Sequence, residues 1–457
     1  MFYLIQNALG VFLPSHLTSQ LGETCDIRIS NGVITEVGHN LLATSNEQVI
    51  DAKNCVVYPG LINTHHHIAQ TVLKAIPEGL DDNLGEWLAN VPYRFWPHIE
   101  PKLMYYAAVL GFSELLRSGA TTCCDHHYLY HESVTQELED VVWQAAEDVG
   151  IRLVLCRGGA THAGSHRGLK GSNIVPESIE QMITRLEHSF DRYHQDQVNP
   201  MRRLVVAPTS LIHSSTSDDL KLLAEFARSH KLKMHSHLLE VEFDQIQAKD
   251  KYGLSAVEYA QSCNWLGEDV WFAHLVKANQ QDIQLLADTG TSISHCPTSN
   301  CRLGSGVAPV IPMYSAGMNV TLGVDGSASS ESGSMIQELN LTWLLHRSLH
   351  GPKATQVDQV INWASKNGAN LLGLDNLGVI EIGKAADLVL YDLSDYRYWG
   401  NHSPIYAPVM AGEPVKIKAS IINGKQVVDN GQINGLDLGE IRQNLKVAMQ
   451  QLLTKAS

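Results

Sequence analysis

The sequence predicts an α/β fold: a (β/α)8 barrel with a smaller β-sandwich domain built from both chain ends. Apolar runs compatible with strands alternate with helix-compatible segments through the middle of the chain. Both ends share another texture, of short strands and tight turns, and histidines close several of the central runs. In a barrel of the TIM type the C-terminal strand ends form one face, where side chains from distant segments converge.

Residues 1 to about 58 read as short strands, with Asn31-Gly32 between Ile27-Arg28-Ile29 and Val33-Ile34 as a hairpin signal. The opening MFYLIQNALGVFLPSHL reads as a strand rather than a signal peptide. No Lys or Arg precedes its apolar part, and Gln6 and Asn7 interrupt it. Apolar runs follow at Val56–Ile62, Ala120–Cys124, Arg152–Cys156, Leu204–Ala207, Leu232–Met234, Val270–Ala273, Thr291–Ser294 and Asn319–Leu322. After the fourth, Leu220, Leu223, Ala224 and Ala227 make an i, i+3, i+4, i+7 stripe, and Ser215 with Asp218 forms a box-like helix start. The strand texture returns at 387–391 and 420–428. The expected organisation is 1–58 as the first part of the sandwich, 59–376 as the barrel, and 377–457 as the second part with a C-terminal helix.

Composition narrows the function. The 457 residues are 44% hydrophobic and 18% charged, a globular balance. Thirty-three Lys+Arg against 48 Asp+Glu give a net charge of −15, which argues against nucleic acid or an anionic membrane as partner. No apolar run approaches the roughly 18 residues of a membrane span. The 8 cysteines contain no C-x-x-C, so reduced thiols in a cytoplasmic protein are the simplest account.

The 22 histidines are the unusual feature. In Pro59-Gly60-Leu61-Ile62-Asn63-Thr64-His65-His66-His67, strand alternation puts His65 and His67 on one side and His66 on the other, the arrangement a two-imidazole metal anchor needs. A second His-x-His, His235 and His237, precedes Glu240; His274 closes the sixth run, and Asp325 follows the eighth. A lone buried His or Asp is usually a hydrogen-bonded core residue, but four such strand ends in register are hard to explain that way.

These segments, written PGLINTHHH, HSHLLE, FAHLV, SHCPTSNCRLGSG, LGVDGSASS and GKAADLVLYD, span nearly the whole chain and resemble the amidohydrolase superfamily, in its cytosine/guanine-deaminase-like branch. VPYRFWPHIEP and RGGAT are most similar to the isoxanthopterin deaminases, with the 8-oxoguanine deaminases as near relatives. The resemblance implies His65, His67, His237 and Asp325 as ligands of one divalent metal ion. Zinc comes first, with Fe2+ or Mn2+ also compatible with such ligands. His237 is preferred over His235 because it stands three residues before the Glu. Glu240 is implied as the proton-shuttling acid/base, His274 as the residue orienting the water, and Asp325 as the acceptor of its proton. Ala207-Pro208-Thr209-Ser210 offers no lysine to bridge two metals, which favours one. Without P-C-x-x-C, the other zinc-deaminase architecture is excluded.

For the substrate, Gln70 matches a position that reads a carbonyl and a ring N–H. Thr209 replaces the arginine of guanine deaminases and counts against plain guanine. Arg157, closing the third run ahead of Gly158-Gly159, is expected either to bind an extra oxo group or to form a structural ion pair. Trp96 is expected to wall a flat bicyclic ring, with His98, Tyr128 and Tyr130 as further aromatic candidates. Cys296 and Asn300 read as shaping the rim. The expected function is therefore hydrolytic deamination of an amino-oxo heterocycle, isoxanthopterin first, then 8-oxoguanine or guanine. Nucleosides of the S-adenosylhomocysteine/adenosine type and triazines follow. A non-catalytic metal-binding barrel is the other class, opposed by the joint presence of Glu240, His274 and Asp325. The expected partners are a small heterocyclic substrate and, in some family members, a second copy in a homodimer.

Overall fold

The computed structural model describes residues 1–457 other than 23, 165–168, 170, 171, 173 and 457. Its barrel strands are Leu61–His67, Ala120–His127, Arg152–Arg157, Arg202–Val206, Met234–Leu238, Val270–His274, Ser292–His295 and a last strand in two pieces, Val320–Leu322 and Asp325–Gly326. All neighbours are parallel. Val320–Leu322 pairs with the seventh strand and Asp325–Gly326 with the first, so the interrupted eighth strand closes the ring. Gly323 stands at the break because a Cβ there would lie 2.6 Å from Ser294 Oγ and 2.7 Å from His65 Cβ. Only bare backbone fits.

The run expected as one strand at Val56–Ile62 is two. Cys55–Pro59 lies in a six-stranded sheet between Leu388–Asp392 and Gly10–Val11, and the chain enters the barrel only at Leu61. The remaining strands of that sheet are Ile417–Ile422, Lys425–Asp429 and Gln432–Ile433. A four-stranded sheet holds Val33–Gly38, Asp26–Ser30, Phe2–Gln6 and Gln48–Asp51. Ile5, Ile27, Ile29, Val57, Leu388, Leu390 and Ile421 share one buried core, which joins the two chain ends. Asn31-Gly32 and Asn423-Gly424 both turn with positive φ, as two-residue hairpins require. The two turns touch: a Cβ on Gly424 would lie 2.3 Å from Gly32 Cα.

The helix after the fourth strand, Ser217–Ser229, buries Leu220, Leu223, Ala224 and Ala227 as its stripe requires. Its cap is one residue later than expected. Thr216 accepts from the Asp219 backbone, and the Asp219 side chain returns to Thr216, while Asp219 also accepts from Thr161 Oγ1 at 2.6 Å. The C-terminal helix Leu438–Ala456 packs against the barrel helix Pro101–Arg117, with Leu445, Ala448 and Leu452 buried, rather than against the sheets. The cysteines are free thiols, and among the described residues no helix is long and apolar enough to cross a membrane.

Candidate active site

Strand alternation brings His65, His67, His235 and His237 into the barrel mouth, and a chain of hydrogen bonds sets the ring state of each. His67 Nδ1 donates to the His126 carbonyl (2.8 Å), and His237 Nδ1 to the Thr209 carbonyl (2.6 Å). His235 Nδ1 donates to the Trp271 carbonyl (3.0 Å), which leaves its Nε2 as the acceptor of the His65 Nδ1 proton (2.8 Å). The Nε2 atoms of His65, His67 and His237 therefore all carry lone pairs. His67 and His237 Nε2 face each other at 3.1 Å, two acceptors with no hydrogen between them. Asp325 Oδ1 lies 3.3 Å from both His65 and His67 Nε2. Burial keeps the imidazoles neutral, pushing His237 down to about 3 and lowering His65 and His67. Such a donor set fits a divalent cation. His235, the competitor of His237, lies behind His65 and buttresses it.

On the far side Glu240 Oε2 is 3.4 Å from His274 Nε2, which is 4.0 Å from Asp325 Oδ2. Burial pushes the Glu240 carboxyl up to about 7. Burial also disfavours the charged form of Asp325, but the His65, His274 and His67 rings around it outweigh that and hold the carboxyl well below the usual range. His274 and Asp325 have φ of +75° and +58°. Such backbone costs about 1–3 kcal/mol per residue and persists where the surroundings impose it.

A pocket opens from these groups. Gln70 and Tyr128 stand beside His67, with Gln70 Nε2 3.4 Å from the Tyr128 hydroxyl and Gln70 Oε1 buried without a hydrogen-bond partner. Trp87 and Tyr93 form an aromatic side, and Thr209, Ser210 and His213 a polar one.

Residues 56–427 match the profile described as the amidohydrolase family. The chain belongs to that family. An isoxanthopterin deaminase of an unknown prokaryotic organism is 39% identical over 468 residues, covering 98% of this chain and 97% of its own. An 8-oxoguanine deaminase of Pseudomonas aeruginosa is 33% identical over 452 residues, covering 98% of each chain. Among solved structures, an amidohydrolase from a Sargasso Sea environmental sample superposes with a TM-score of 0.84 at 35% identity, over 100% of this chain and 99% of that one. A mutant atrazine chlorohydrolase of Arthrobacter aurescens TC1, complexed with zinc and atraton, reaches 0.91 at 26% identity, over 98% and 100%. The chain is a hydrolytic deaminase of the amidohydrolase family.

Two expected substrate contacts do not reach this amidohydrolase's pocket. The Arg157 guanidinium is fully buried and closed by Glu177, with Nη1 and Nη2 donating at 2.8 and 2.7 Å, and it lies 3.7 Å over the Tyr130 ring. The ion-pair alternative holds, and Gly159 leaves room for it: a Cβ there would lie 3.0 Å from Glu177 Oε2 and 3.1 Å from Arg157 Nη1. Tyr130 itself donates to Glu139 at 2.6 Å. Trp96 lies behind the wall, packed edge-on against Tyr128 with ring centres 5.3 Å apart. His98 does not line the pocket among the described residues. Sequence reasoning missed Trp87, Tyr93, His213 and its partner Asp244 (2.8 Å), and assigned Asn300 to the rim although it bonds His274 directly at 2.9 Å.

Proposed function

We propose that this protein is a metal-dependent aminohydrolase that converts an amino-oxo bicyclic heterocycle, isoxanthopterin foremost, to its oxo product and ammonia. The observation that carries the metal reading is the bond network that turns three imidazole lone pairs and one carboxylate oxygen toward one another. His65, His67, His237 and Asp325 would hold the ion, with zinc first and Fe2+ or Mn2+ as alternatives. When bound, it acidifies a water toward a pKa of roughly 7.

The protein's own groups do the rest. Asp325 takes the proton the attacking water releases. Glu240, whose carboxyl is half protonated near neutrality, delivers its proton to the ring nitrogen beside the amino-bearing carbon, takes up the proton of the new hydroxyl as the carbonyl forms and passes it to the amino group, which leaves as ammonia; the proton held by Asp325 then restores Glu240. His274 orients the water between Glu240 and Asp325. Gln70 offers both an acceptor and a donor to a lactam edge, and Trp87 and Tyr93 cover the flat face.

The pterin reading is supported by the 39% identity to an isoxanthopterin deaminase over nearly the whole of both chains. The 8-oxoguanine reading follows at 33%. The test is ammonia release by zinc-loaded protein on isoxanthopterin, pterin, 8-oxoguanine, guanine, cytosine and S-adenosylhomocysteine. Preference for isoxanthopterin is expected; preference for 8-oxoguanine moves the assignment to purines, and silence on all six overturns both.

A further inference from the structure

One short helix, Pro297–Arg302, holds two groups of the site at once. Ser299 donates its hydroxyl to Asp325 Oδ2 at 2.5 Å, and the next residue, Asn300, accepts the Nδ1 proton of His274 on Oδ1 at 2.9 Å. All four side chains are buried. A carboxamide oxygen can only accept, so the bond to Asn300 fixes the His274 proton on Nδ1. In the neutral ring this leaves the Nε2 lone pair facing Glu240 Oε2 at 3.4 Å and Asp325 Oδ2 at 4.0 Å; burial favours that neutral ring, while the two carboxylates outweigh it and raise the ring's pKa.

Ser299 acts on the other partner. It occupies Asp325 Oδ2, with Ser329 Oγ as a second donor at 3.3 Å, and so leaves Oδ1 turned toward His65 and His67. His274 and Asp325 are also among the few residues of the mouth with left-handed backbone. Such backbone persists only with support from its surroundings. Here two consecutive residues supply it, and their helix is itself tied down, because the Thr298 amide donates to the buried Glu338 carboxyl at 3.1 Å.

We infer that Ser299 and Asn300 are a positioning pair that sets the ring state of His274 and the turn of the Asp325 carboxylate as one rigid unit. The inference rests on the reading of His274 and Asp325 as parts of the hydrolytic site. Neither Ser299 nor Asn300 lines the pocket, so neither is a substrate contact.

The test uses full-length, zinc-loaded protein with 15N-labelled histidine, the His274 signals being assigned by their loss in His274→Asn. In the wild type the His274 proton is expected on Nδ1. In Asn300→Leu it should shift to Nε2 or divide between the nitrogens, while kcat falls about 10–100-fold with zinc content unchanged and KM within about twofold. Asn300→Asp keeps the acceptor and should keep both the Nδ1 proton and most of kcat. Should Asn300→Leu not accumulate as folded protein, Asn300→Ala carries the same expectations. Ser299→Ala should lower kcat and leave the His274 signals in place. The inference is overturned if Asn300→Leu retains the Nδ1 proton with wild-type kcat, or if Asn300→Asp is impaired as severely as Asn300→Leu. The ring-state measurement needs no substrate, so it stands whether or not the heterocycle panel yields ammonia.

Discussion

The barrel mouth and the two-sheet unit treat the same backbone conformation differently. Left-handed non-glycine residues in the sheet unit and its turns are asparagines, Asn7, Asn31, Asn40, Asn54, Asn423 and Asn430, for which that conformation is cheap. At the mouth they include Leu239 and Leu275, for which it is costly, beside His274 and Asp325. Polar satisfaction divides the same way. Gln70 Oε1, Glu240 Oε1 and both His126 ring nitrogens are buried without partners near the site, whereas among the described residues no buried side-chain atom of the four-stranded sheet lacks one. Ser420 Oγ in the six-stranded sheet and Trp343 and Trp363 Nε1 in the barrel are unpartnered too, so what marks the mouth is that such atoms gather around its titratable groups.

The largest effect that would test this contrast is at Glu240. Glu240→Gln should lower kcat by roughly 10²–10⁴-fold with metal content unchanged, read by ammonia release and elemental analysis. Full activity would break the assignment of the mouth as a proton-transfer site. Next, Arg152 links the two regions: it is fully buried, and its guanidinium meets the Asp387 carboxylate at 3.0 Å. Arg152→Ala should destabilise by about 3–5 kcal/mol in denaturant unfolding, with kcat per folded molecule unchanged. Arg157→Met tests the pairing of Arg157 with Glu177 away from the pocket. It should lower Tm while KM for the preferred substrate stays within about twofold, and a KM rise of tenfold or more would restore Arg157 to the pocket. The smallest effect is at Glu338, whose carboxyl burial pushes up from 4.5 to about 8. The folded state keeps a proton that the unfolded state releases across that window, so stability falls as pH rises through it. Glu338→Gln should therefore gain a few degrees of Tm on the wild type at pH 8, and less at pH 5.

The barrel and its histidines were legible because both follow short-range rules. Alternation places His65 and His67 together, and parallel strand ends gather His237, His274 and Asp325 on one face. The split of Val56–Ile62 was not legible, since an apolar run looks the same whether it serves one sheet or two. Arg157 shows a second limit: its position at a strand end is local, but the direction of its side chain depends on Glu177, twenty residues on in a different segment. Trp87 and Tyr93 lie on two short helices, Leu84–Asn90 and Pro92–Phe95, in the excursion after the first strand, whose path is set by packing on the barrel rather than by any periodicity. Asn300 was visible as part of a motif, but its bond to His274 spans two strand ends.

The broken eighth strand bears on how the molecule is made. Asp325 pairs with His66 across the seam, so the last donor of the site and the last rung of the barrel arrive together. A growing chain that has not yet released residue 325 has neither a closed barrel nor a complete donor set. Bringing those segments together closes a loop of more than 250 residues, at an entropy cost that local contacts do not carry. On the metal reading proposed above, uptake would report finished assembly, and a fragment ending before the seam should take up none at this site.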